Sequence, residues 1–302
     1  MRKLNALITI IRLPNLVFIF LTQILAWHCI LKPAVLSEHQ LPTLSTSHLL
    51  WLAFSTVLIA AAGYIINDYF DIGIDTINKP ERVTIEKIFK RRSIIIWHIL
   101  LNVIALMIAG YIAFYEVKLR VLIFQIISIF LLLVYSSTFK RKLIIGNIII
   151  ALLTALTLLS LAFYEPHFNL LSWTQMYMKR FWIYVIFAFS ITWIREIVKD
   201  IEDVKGDLSQ NCQTIPLVWG INKAKQVVYA LISILLLLLV ITIIRYYEIN
   251  TALVIFLGIG VCLPLIYVFY LLVKAIHASQ FHRISTYIKI ITLLGILSMM
   301  LI

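Results

Sequence analysis

Nine apolar runs of about 18 to 25 residues, beginning near positions 14, 48, 93, 119, 143, 179, 225, 250 and 284, leave this chain few ways to fold. Wound at 1.5 Å per residue, such a run crosses the roughly 30 Å hydrocarbon core of a bilayer. A helix satisfies its own backbone polar groups there. The 302 residues are 62% hydrophobic and 13% charged, against the roughly half-apolar mix of a soluble domain. The sequence therefore predicts an all-α polytopic membrane bundle of about nine transmembrane helices, with no separate soluble domain.

The net charge of +12 would suit a nucleic-acid partner, but its distribution assigns it to topology. Twenty of the 26 basic residues fall in the N-terminal tail or in loops on that same side; the others are Lys32, Lys118, Arg120, Lys179, Arg180 and Arg245. The positive-inside rule then places the N-terminus in the cytoplasm and, with nine spans, the C-terminus on the opposite side. Residues Leu16 to Leu31 follow Arg2, Lys3 and Arg12 without a small-residue cleavage site, so the first run reads as a retained span. Cys29, Cys212 and Cys262 lack paired spacing, and the seven histidines are dispersed.

Into this apolar background come two acidic triplets, Asp68, Asp71 and Asp75, then Asp200, Asp203 and Asp207, each residue 132 positions after its counterpart. Carboxylates in membrane proteins are costly and usually functional, and spacings of three and four put each set on one helical face. Each set follows the second helix of a four-helix block. The chain thus reads as one domain, 1–302, with pseudo-repeats of about 1–140 and 141–275 and an extra helix at 284–302. Repeats of this kind commonly place a site at their interface, so the two sets are expected to face one cavity, with the loops 67–92 and 199–224 turning over its mouth.

Oxygen ligands without histidine or cysteine suit Mg2+ and a phosphorylated ligand rather than zinc. Asn67, four residues before Asp71, adds an amide oxygen on the same face. Glu196 stands in the same relation to Asp200, and reads equally well as a carboxylate paired with Arg195 or Lys199. Arg82, Lys140 and Arg141 are candidates for stabilising a diphosphate leaving group. Tyr64, Tyr69, Phe70, Tyr135 and Trp193 lie near the motif ends and could face a developing allylic cation, although each ring alone fits an interfacial or core position better. No GxGxxG, Walker or GxSxG element occurs, which leaves nucleotide binding and serine hydrolysis unsupported.

NDYFDIGID (67–75), REIVKDIEDVKGD (195–207) and VYSSTFKR (134–141) together resemble the UbiA superfamily of intramembrane prenyltransferases. That resemblance spans nearly the whole chain. It implies a nine-helix bundle in which Asp68, Asp71, Asp200 and Asp203 lead in binding magnesium, supported by Asn67. Asp75 and Asp207 would act through water or toward the acceptor, and Asn67, Arg82, Tyr135, Lys140 and Arg141 would hold the isoprenoid diphosphate. The prenyl group would pass to a lipophilic acceptor within the bilayer, and the motif stretches look most like the branch that uses a prenylglyceryl phosphate. An aromatic quinone precursor is the alternative acceptor. After Arg82 similar chains often continue with Pro and a Ser-Gly turn, whereas this one runs VTIEKIFKRRS. A rival from another class is a cation-coupled transporter, which would hold its acids near the bilayer midplane in broken helices.

Overall fold

The computed structural model describes residues 2–78, Pro80, 83–115 and 119–302; Lys79, Arg82 and Lys118 lie outside them. Among these residues every regular element is a helix, the sole β-type pairing being an isolated bridge between Ile85 and Phe89. A short amphipathic helix, α1 (Arg2–Ile10), precedes nine helices that, among the described residues, are long and apolar enough to cross a membrane. They are α2 (Leu13–Ser37), α3 (Thr46–Asn78), α4 (Arg91–Tyr115), α5 (Leu119–Ser137), α6 (Ile145–Tyr164) and α7 (Met176–Glu202). After a one-and-a-half-turn helix, α8 (Val204–Ser209), come α9 (Ile221–Tyr246), α10 (Thr251–Lys274) and α11 (Ala278–Leu301). The protein is an integral, multi-pass membrane protein.

Two spans contain a π-helical turn, Trp27–Leu31 in α2 and Leu257–Cys262 in α10. Both lie just before a proline, Pro33 and Pro264, whose missing N–H and bulky ring disturb the preceding turn of the ladder. The wider turn absorbs that disturbance without ending the helix.

The chain divides into two compact units, residues 1–140 with 156–179, and residues 141–155 with 180–302. In the first, α2, α4 and α5 pack on α3, whose buried face runs from Leu49 and Leu52 through Ala62 to Ile65 and Asp71. Beside that face, Ile10 of α1, Ile65 of α3, Ile85 of the following loop and Ile94 of α4 form a closed apolar cluster. The loop after the first acidic motif is therefore docked by Ile85 rather than left as a free connector. In the second unit α9, α10 and α11 pack together. Gly295 of α11 meets Phe187 of α7 so closely that a Cβ there would come within 2.3 Å of the ring.

Candidate active site

The helix α3 has 33 residues, roughly 50 Å at 1.5 Å per residue, and so outruns a hydrocarbon core of about 30 Å. Its surplus turns carry the first acidic set. Asn67, Asp68, Asp71 and Asp75 are all helical, so the expected loop 67–92 is helix as far as Asn78. The helix continues to Asn78 because nothing between Asn67 and Pro80 removes a backbone donor. Asn67 and Asp71 are one turn apart, and Asn67 Nδ2 donates to Asp71 Oδ2 at 2.6 Å, as their spacing requires.

Two cations close on this helix end. Lys140 Nζ, from the turn after α5, donates to Asp71 Oδ2, and Arg12 Nη2 donates to Asp68 Oδ1 at 2.9 Å. Asp71 is only 4% exposed, so its charge must be matched locally. Burial alone would pull the Lys140 ammonium down, but the Asp71 carboxylate, with Tyr135 nearby, outweighs it and holds the pKa above the usual lysine value. Arg12 occupies the left-handed region (φ 53°) at the break between α1 and α2. Its guanidinium also lies over the Tyr64 ring at 4.9 Å, and Asn15 reaches the Tyr64 hydroxyl at 3.3 Å.

The second set is built differently. Asp200 lies in the last turn of α7 and accepts from Asn147 Nδ2 of α6 at 2.8 Å. Asp203 (φ −95°, ψ 8°) is the joint between α7 and α8: its N–H still donates to Lys199 O at 2.8 Å, while its carbonyl already accepts from Gly206 N. Asp207 is buried in α8, and its carbonyl accepts from Cys212 N at 3.0 Å. Glu196 pairs with Lys199 at 2.9 Å and with Arg195 at 3.4 Å, the second of the two readings its position allowed.

The remaining expected residues fall as follows. Tyr135 is buried at the end of α5, near Lys140. Arg141 is exposed, and its carbonyl accepts from Gln213 N; Arg82 lies outside the described residues. Tyr69 packs edge-on to Phe70 and against the isoleucine cluster, and Trp193 edge-on to Phe189, as core aromatics do.

Arg12, Asn15 and Asn147 were not singled out by spacing, because their partners are 49 to 56 positions away. A signal was present nonetheless. Asn147 follows Asn15 by 132, the offset of the aspartates, and Ile144 (φ 61°), the counterpart of Arg12, is left-handed too. In each unit a left-handed residue thus precedes the helix whose asparagine hydrogen-bonds the acidic helix, at Tyr64 in one and at Asp200 in the other.

Among the described residues, no three carboxylate, histidine or cysteine side chains gather into a group that could hold an ion. The donor chemistry nonetheless fits a hard cation. Asn67 is 7% exposed, its Nδ2 is committed to Asp71, and its Oδ1 has no hydrogen-bond partner. A buried amide oxygen without a donor, on a side chain bonded to the Asp71 carboxylate, can serve as an oxygen ligand, and Mg2+ needs only one or two protein carboxylates because it keeps several waters.

An all-α membrane bundle with one acidic set on α3 and a second shared by α7, the joint at Asp203 and α8, each in contact with amide or cationic side chains, fits a membrane-embedded enzyme of the prenyltransferase class. The chain belongs to the UbiA prenyltransferase family, whose pattern it matches over residues 25–288. Digeranylgeranylglyceryl phosphate synthase of Methanosphaera stadtmanae is 31% identical over 244 residues, 80% of this chain and 82% of that one. A solved structure of digeranylgeranylglyceryl phosphate synthase has the same fold, with a TM-score of 0.65 over 99% of both chains at 24% identity. So does a UbiA homolog from Archaeoglobus fulgidus solved with DMAPP and Mg2+, at a TM-score of 0.61, 14% identity, and coverage of 98% of this chain and 99% of that one.

Proposed function

We propose that this protein transfers a prenyl group from an isoprenoid diphosphate to the hydroxyl of a prenylglyceryl phosphate, with Asp68, Asp71, Asp200 and Asp203 as magnesium ligands. Asn67 adds its amide oxygen, and Asp75 and Asp207 act through water. In the reaction the bond between the allylic carbon and the diphosphate oxygen breaks. The diphosphate oxygen keeps the electron pair, and the acceptor's hydroxyl oxygen bonds to that carbon and gives up its proton to the departing diphosphate or to water. Magnesium, when bound, neutralises the diphosphate and so stabilises it as a leaving group.

The observation that carries this reading is the arrangement Asn67–Asp71–Lys140, in which a buried carboxylate is held between an amide and a cation while the amide oxygen lacks a partner. Ion pairing with Lys140 and Arg12 offsets the cost of burying the Asp71 and Asp68 charges. Once their carboxylates turn to a metal, Lys140 and Arg12 are released to donate to phosphate oxygens. Arg82 and Arg141 are assigned to the same diphosphate, and Tyr135 positions Lys140. The acceptor follows from the 31% identical relative named for that chemistry. The N-terminus and both acidic ends lie on the cytoplasmic side, supported by the lopsided basic residues. The 132-residue offset shared by acids, asparagines and left-handed residues supports two pseudo-repeats within one domain.

The test is product analysis by mass spectrometry with purified protein, Mg2+, a panel of prenyl diphosphates, and both prenylglyceryl phosphate and aromatic acceptors. An ether product is expected, lost on chelation and regained with added Mg2+. Transfer to the aromatic acceptor alone would replace the acceptor; ion flux in proteoliposomes with no transfer at all would overturn the function.

A further inference from the structure

The mechanism above leaves a cluster of charged side chains in α7 unused. Arg195 and Lys199 share a helical stripe, one turn apart, and each side chain is 25% exposed. Glu196 lies between them but is drawn to one side: both its oxygens are 2.9 Å from Lys199 Nζ, whereas Arg195 Nη1 is 3.4 Å away. Arg195 Nε is also buried with no acceptor among the described residues, and so is the indole Nε1 of Trp193, two residues earlier. Buried donors left without acceptors cost free energy, and ionisable side chains within a transmembrane helix ordinarily mark a ligand. What these donors lack is an anion with several oxygens.

We infer that Arg195, with Lys199 beside it, forms the subsite for the acceptor's phosphate, the ligand being a lipid that carries a phosphate monoester next to a free hydroxyl. This rests on the prenyl-transfer reading above. The planar guanidinium fork matches a phosphate group, and Lys199 adds a point charge. The donor's diphosphate already has magnesium, Arg12 and Lys140 assigned to it, whereas the acceptor's phosphate has no other assigned partner. Position agrees as well: Arg195 and Asp203 are eight residues apart, roughly 12 Å along the axis, so a headgroup anchored at Arg195 keeps its lipid at the helix end that bears Asp200 and Asp203.

The experiment compares wild type, Arg195→Gln and Arg195→Lys on two acceptors, a prenylglyceryl phosphate and the same lipid without its phosphate. Wild type is expected to prefer the phosphorylated lipid at least ten-fold in kcat/KM. Arg195→Gln raises the KM for that lipid about ten-fold, leaves the donor KM within about two-fold, and erases the preference, while Arg195→Lys retains part of it. An equal loss on both lipids, or a rise confined to the donor KM, would overturn the subsite. If wild type transferred to neither lipid, the prenyl-transfer reading would fail separately. Binding of the phosphorylated lipid in the absence of donor would then decide: weaker binding to Arg195→Gln supports the subsite, and equal binding overturns it.

Discussion

Asp71 concentrates the electrostatics of the first unit in one side chain. It is almost fully buried, accepts from Asn67 at 2.6 Å, and meets Lys140. If Lys140 passes from Asp71 to a phosphate oxygen during turnover, removing its charge removes a donor aimed at the leaving group. Such losses typically cost 10²–10³ in rate, about 2.7–4 kcal/mol. Lys140→Gln is therefore expected to lower kcat by about two orders of magnitude with the protein still folded, measured by single-turnover transfer; a change under about three-fold would remove Lys140 from the reaction. Its raised pKa keeps Lys140 charged through neutral pH, so the defect is expected to be the same from pH 6 to 9. At this scale the sequence was legible where contacts are local. The four-residue step from Asn67 to Asp71 is a helical turn, whereas the Arg12–Asp68 and Asn147–Asp200 pairs depend on how helices pack.

At the scale of elements, length and punctuation explain where the acids sit. The spans expected from apolar runs recur with ends moved by a few residues, the largest change being α3, which continues through its acidic motif to Asn78. Hydropathy falls there, so the motif reads as a loop, but backbone hydrogen bonding does not stop where hydrophobicity does. The second motif is split at Asp203 between two helices, a difference that the matching spacings hide. Between α6 and α7, Glu165 is fully buried and accepts from Thr43 N at 2.8 Å, Thr43 Oγ1 at 3.1 Å and Leu44 N at 3.2 Å, so it staples the loop after α2 to the end of α6. Hydrogen bonds to a charged group contribute about 1.5–3 kcal/mol. Glu165→Gln is expected to destabilise by about 2 kcal/mol, seen as a lower Tm in detergent, with transfer per folded molecule unchanged. An unaltered Tm would show the staple to be dispensable.

Across the whole molecule, the nine spans and the family were legible because lipid imposes helices and the aspartate spacings are distinctive. Details within the site were not, since single residues such as Arg12 and Asn147 find distant partners only once the chain is packed. Orientation is a property of the complete charge pattern. Single cysteines placed at Ser209 and Tyr247 are expected to react with an impermeant thiol reagent from the cytoplasmic and the opposite face respectively; labelling in the reverse sense would invert the topology. The central claim is that the paired aspartates hold magnesium for one prenyl transfer, and it is tested most directly by Mg2+ titration of that reaction in wild type, Asp71→Asn and Asp203→Asn. The account predicts a loss of about a hundred-fold or more in each variant, with a higher Mg2+ requirement for any residual rate. Wild-type rates at unchanged Mg2+ dependence in either variant would contradict it.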